Sequence, residues 1–87
     1  MYDVDFTSIA VDDLERLNKP IAQRIFTKIH WLADNFDALT PESLTGQWKS
    51  MYKLRVGDYR VLYTFSAAEN SIVVHFVRHR REVYKIQ

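Results

Sequence analysis

Eighty-seven residues, 47% hydrophobic and 14% aromatic, suit a single domain over 1–87 with one core, because so short a chain buries only about 60–65% of its unfolded surface. The lack of cysteine excludes a disulfide framework and a thiolate metal centre; Met1 to Ala10 alternates polar and apolar residues instead of forming a signal peptide or membrane span, so the cytoplasm is the expected location. The net charge of +1 conceals a division: residues 1–45 carry four basic against eight acidic side chains and residues 46–87 eight against three, which predicts a polyanion-binding face built from the C-terminal half.

Tyr2, Val4 and Phe6 alternate with aspartates and predict a first strand with one buried face. A helix is expected from Thr7 or Ser8 to about Asn18, with Ile9, Ala10, Leu14 and Leu17 near helical spacing. Pro20 disfavours helical geometry in the residue before it and suits the first turn of a new helix. Ile21, Ile25, Ile29, Leu32 and Phe36 then follow at spacings of four, four, three and four, one stripe over more than four turns. Asp37 to Gly46 reads as a polar connection punctuated by Pro41 and Gly46.

Three strands complete the chain, at about 50–56, 59–66 and 71–78. Gly57 and Asp58 form a two-residue hairpin loop, and that loop sets a register of Val56 opposite Tyr59, Leu54 opposite Val61 and Tyr52 opposite Tyr63. These six share the face toward the helices. The other face receives Arg55 beside Arg60 and Lys53 beside Leu62, an expected exposed cationic patch. A loop at Ala67 to Asn70 pairs Phe65 with Ile72 and Tyr63 with Val74, which assigns Val73, His75 and Val77 to the cationic face as well. The predicted class is α+β, a small antiparallel sheet of about four strands against two N-terminal helices in the order β-α-α-β-β-β.

Like charges directly opposite on a sheet are destabilising unless an anion is expected between them, and a phosphodiester meets that need. The run from Val77 to Lys85 adds Arg78, His79, Arg80, Arg81 and Tyr84 at a strand end. Lys49, Arg55, Arg78, His79 and Arg81 are therefore candidate RNA-binding residues, and Trp48 is either a stacking platform or a cover for the core edge. Cutting RNA through its own 2′-hydroxyl requires a proton acceptor, a proton donor and charge stabilisation, and demands no metal. His30, His75 and His79 have no carboxylates at ligand spacing, and the chain has no phosphate loop, dinucleotide fingerprint or nucleophile elbow, so neither metal nor cofactor is expected.

The string Tyr52-Lys53-Leu54-Arg55-Val56-Gly57-Asp58-Tyr59-Arg60-Val61-Leu62-Tyr63, followed by His79-Arg80-Arg81-Glu82-Val83-Tyr84, closely resembles the RelE branch of the RelE/ParE toxin superfamily. The resemblance implies a type II toxin: a ribosome-dependent endoribonuclease (mRNA interferase) that cuts messenger RNA in the ribosomal A site, inhibits translation, and is held inactive by a RelB-like antitoxin. Operator DNA would be met only through the antitoxin complex, and no membrane is involved. By the same resemblance Lys53, Arg60, Arg80 and Tyr84 are the catalytic residues. Arg60 matches the arginine that contacts the scissile phosphate, and Tyr84 the terminal tyrosine that stacks or assists proton transfer. Lys53 matches one of two lysines, and Met51 stands at the other position, where Lys49 or Arg55 would have to supply the charge. The second arginine aligns as Arg78 or Arg80, with Arg80 and its neighbour His79 preferred. The alternative function is a ParE-like toxin that binds and inhibits DNA gyrase without cutting anything.

Overall fold

The structure is a computed structural model and describes residues 1–84. Its elements run β1 (Asp3–Phe6), α1 (Ser8–Glu15), α2 (Lys19–Asn35), β2 (Glu42–Ser43), β3 (Tyr52–Val56), β4 (Tyr59–Ser66), β5 (Ser71–His79) and α3 (Arg80–Tyr84), with single 3-10 turns at Phe36–Ala38 and Gly46–Trp48. The strands form one five-stranded sheet in the order β1-β5-β4-β3-β2, mixed where an antiparallel one of about four strands was expected, because β1 runs parallel to β5. The predicted α+β class and strand–helix–helix beginning are present. Two short elements join them: β2, an edge strand inside the expected polar connection, and the terminal helix α3.

Both main helices start where the sequence provides a cap. The Thr7 hydroxyl accepts from the Ala10 N–H, and the Asn18 side chain accepts from Ile21, each satisfying a donor that a helix start leaves without an internal partner. Pro20 sits in the first turn of α2, where its missing N–H costs nothing. The stripe of α2 buries Ile25, Ile29, Leu32 and Ala33 against the sheet, worth about 1.5–3 kcal/mol for each large side chain. Phe36 closes the stripe, its ring 4.8 Å from Phe65 and 4.7 Å from Tyr2.

The β3–β4 register is the predicted one, Val56 to Tyr59, Leu54 to Val61 and Tyr52 to Tyr63, and all six side chains belong to the core under the helices. Gly57 takes φ +57 as the first of the two loop residues, which is why glycine precedes aspartate there: a side chain at that φ is strained. The Ala67–Asn70 loop is also as expected, and Asn70 itself adopts the left-handed conformation that asparagine tolerates.

The β4–β5 pairing departs from the expectation at one residue. Phe65 faces Ile72 and Tyr63 faces Val74, but Leu62 then faces Phe76, so His75 is an extra residue bulged out of the ladder. Past the bulge every side chain changes face. Val77 is therefore not on the cationic side but in the main core, 3% exposed, and Phe76 and Arg78 take the places across the sheet. The bulge is held from outside: the Thr7 hydroxyl donates to the His75 carbonyl, and Thr64 Oγ1 lies 2.9 Å from His75 Nε2.

A second correction concerns the number of cores. Leu44, Leu62 and Val83 form a separate buried cluster, with Trp48, Met51 and Phe76 packed against it. It lies on the sheet face away from α1 and α2, because Leu62 and Phe76 point there and α3 folds back to cover them. Trp48 serves this cluster, its ring 5.3 Å from Phe76 and its indole N–H donating to the Val83 carbonyl.

Tyr63 is 1% exposed. Burial, helped by Tyr52 and the Glu42 carboxylate, pushes its phenol up to about 12. An unfolded chain ionises the same group near about 10, so its contribution to stability is intact below that pH and is lost as pH rises through about 12. Ultraviolet titration should therefore show a phenol ionising near about 12, and Tyr63→Phe should remove that step.

Candidate functional site

On the face away from α1 and α2, β3, β4 and β5 place arginines at directly opposed positions. Arg55 pairs with Arg60, and Arg60 pairs with Arg78. Lys53 stands two residues from Arg55 on β3, on the same side of the pleat, in line with Leu62 and Phe76. The cationic row is thus wider than the sequence suggested, because the bulge at His75 carries Arg78 into it.

Like charges this close are tolerated because each cation has its own acceptor or direction. Arg60 turns back to the hairpin, its Nη1 donating to the carbonyls of Gly57 and Tyr59 at 2.9 Å each. Arg78 is held by Asp13 of α1, Nε to Oδ2 at 2.9 Å, and its guanidinium lies 4.9 Å from the centre of the Phe76 ring. Lys53 meets Glu42 of β2 at 3.6 Å. Arg55 lies exposed at the outer edge of β3.

The expected open patch is corrected in one respect: Arg60 is only 6% exposed. Its face is the anticipated one, but α3 begins with the Arg80 N–H donating to the Asp58 carbonyl at 2.7 Å and continues over Leu62. Lys53 and Arg78 keep 21% and 30% of their side chains accessible. The surface cations of the row are thus Lys53, Arg55 and Arg78, with Arg60 beneath them.

The residues of the C-terminal run are distributed differently from one another. His79 lies opposite Tyr59, with the rings 5.4 Å apart edge to face, so it belongs to the helix side of the sheet and not to the arginine row. Its Nδ1 accepts from the Arg81 N–H, and its own N–H is 3.3 Å from the Glu82 carboxylate, a pair of contacts that starts α3. Arg80 and Arg81 are exposed on α3, and Lys49 is exposed beside Trp48. The side chain of Tyr84 and all of Lys85 lie outside the described residues. Among the described residues no group of three His, Asp or Glu side chains is placed to hold a metal, and no helix is long and apolar enough to cross a membrane.

Asp13 is the residue that sequence reasoning missed. It is 5% exposed and accepts from both the Val77 N–H, at 3.0 Å, and Arg78. β1 pairs with β5 only from Ser71 to Val74, and Asp13 occupies the edge beyond that point, replacing a neighbouring strand with a carboxylate. A signal was present: Asp13 stands beside Leu14 and three residues after Ala10 on the buried stripe of α1, where a charge is buried only if it has partners.

Residues 4–84 match the family model described as ParE toxin of type II toxin-antitoxin system, parDE. No curated protein matches the chain. Among solved structures it is similar to a chain of the RelBE2 toxin–antitoxin complex from Mycobacterium tuberculosis, with 26% identity and a TM-score of 0.79 over 91% of this chain and 98% of that one. It also shares its fold with the isolated RelE toxin of E. coli, 18% identical with a TM-score of 0.73 over all of both chains. A third match is the YoeB/ParE toxin from Agrobacterium tumefaciens, 22% identical with a TM-score of 0.70 over 88% of this chain and 96% of that one.

Proposed function

The chain belongs to the ParE toxin family, within the RelE/ParE superfamily of type II toxin–antitoxin systems, and from that premise we propose that this toxin is a metal-independent endoribonuclease that cuts messenger RNA in the ribosomal A site. What supports the reading is one observation: Arg55, Arg60 and Arg78 occupy opposed positions on three adjacent strands, with Lys53 two residues along on the same face. An arginine fork can take two phosphate oxygens at once, and Arg55 and Arg78 at the surface with Arg60 buried between them suit a phosphorane, which carries more negative charge than the diester from which it forms.

In this mechanism the uncharged amine of Lys53 or the phenolate of Tyr84 takes the proton of the 2′-hydroxyl. The freed 2′-oxygen bonds to phosphorus, and the bond from phosphorus to the 5′-oxygen breaks. Arg78, steadied by Asp13, donates hydrogen bonds to the non-bridging oxygens, while Arg60 adds positive potential from below. Arginine does not release its proton near neutral pH, so the departing 5′-oxygen takes its proton from water while an arginine stabilises it. The products are a 2′,3′-cyclic phosphate and a 5′-hydroxyl. The geometry favours Arg78 over Arg80 as the second arginine, since Arg78 is the one aligned with Arg60. Lys49, Arg80 and Arg81 then serve as flanking RNA contacts, and a RelB-like antitoxin is the proposed inhibitor, the Mycobacterium tuberculosis match being drawn from a toxin–antitoxin complex.

One observation favours a second reading, a toxin that binds DNA gyrase and performs no chemistry. Arg60 is 6% exposed and is turned toward its own hairpin, an arrangement that a purely structural arginine would also show. Induction without antitoxin separates the two: messenger decay within the first minutes, before any DNA-damage response, is the expected result. A damage response arising first, with messengers intact, selects the gyrase reading.

A further inference from the structure

Outside the arginine row, a groove of about 540 Å³ runs between α2 and the outer edge of β3, lined by Arg24, Thr27, Lys28, Trp31, Arg55 and Gly57 among others. Among the described residues no carboxylate lines it. Trp31 is 40% exposed, an unusual position for an indole on a helix whose opposite side forms the core, and the Lys28 ammonium lies 3.8 Å from its ring centre. Arg24 reaches the hairpin from α2, its Nη2 3.5 Å from where a side chain at Gly57 would begin. The edge of β3 is open here, because β2 pairs only with Tyr52 and Lys53.

Arg55 belongs to both places. It is the outermost member of the arginine row and also a wall of this groove. We propose that the α2–β3 groove is a second RNA subsite, which takes the strand leaving the arginine row over the edge of β3, holds its phosphates with Arg24 and Lys28, and stacks a base or sugar on Trp31. The inference rests on the RNA reading of the row. Three cations, an exposed indole and no acidic wall fit a polynucleotide, whose backbone needs cations and whose bases need flat apolar surfaces.

The experiment measures binding of two 2′-deoxy-blocked, fluorescent RNAs, one of three nucleotides and one of nine, to the full chain and to the Arg24→Gln/Lys28→Gln double variant. Both positions are on the helix surface, and a thermal melt confirms that the variant folds. The wild type should bind the longer RNA more tightly, and the double variant should lose about tenfold of that affinity with a salt slope shallower by about 1.4, the value for two single-strand phosphates. Binding of the three-nucleotide RNA should not change. Equal binding of the nine-nucleotide RNA by both proteins overturns the subsite and leaves the arginine row standing. Failure of the wild type to bind either RNA overturns the RNA reading and the subsite with it. Sensitivity of a polyglutamate peptide, but not of RNA, to the double substitution assigns the groove to an acidic protein and also overturns the proposal.

Discussion

Arg78→Lys should lower messenger cleavage about a hundredfold, whereas Arg80→Ala should leave it within about threefold, with initial rates of a defined messenger in a translating extract as the measurement. Lysine keeps the positive charge beside Asp13, so the α1–β5 contact survives and lost activity is not lost folding. What it removes is the planar fork, and with it the ability to hold Asp13 through Nε while presenting further donors to a phosphate. Arg80 stands one residue beyond the strand, exposed on α3 and outside the ladder positions that align the row. Comparable losses from both substitutions would mean that the register between β4 and β5 does not define the site.

The second large effect is on stability. Asp13→Ala should cost about 3 kcal/mol, or roughly 12–24 °C in melting temperature for a domain of this size. The substitution strips the buried Val77 N–H of its acceptor and leaves Arg78 without its counter-ion. The first loss is the larger, since an unsatisfied buried donor bears the whole desolvation penalty, while Arg78, 30% exposed, recovers part of its loss from water. Asp13→Asn keeps an acceptor for Val77 and should lose about half as much. A melting temperature for Asp13→Ala within about 2 °C of wild type would show that the edge of β5 does not depend on this carboxylate.

Much of this molecule can be read from its sequence because its local rules agree with one another. The α2 stripe, the Asn18–Pro20 start and the Gly57–Asp58 loop each specify one geometry, and the register that follows from the loop puts Arg55 against Arg60 without reference to any other part of the chain. The features that escaped such reading depend on partners distant in sequence. The bulge at His75 is stabilised by Thr7, sixty-eight residues away, and nothing between Ser71 and His79 marks it; a strict alternation therefore sends Val77 to the wrong face and hides Arg78. The burial of Arg60 escaped for another reason: its guanidinium turns back on the Gly57 and Tyr59 carbonyls, a side-chain choice that strand alternation does not specify. β2 escaped notice because two residues, Glu42 and Ser43, carry no alternation to detect.

The most direct measurement is the mapping of messenger 5′ ends in a translating extract supplied with the purified toxin. Cleavage by the arginine row predicts new 5′-hydroxyl ends at a fixed position within codons, matched by upstream fragments ending in 2′,3′-cyclic phosphate, and their loss with Arg78→Lys. Unchanged messengers in the presence of folded toxin would contradict it, as would ends that persist undiminished in that variant.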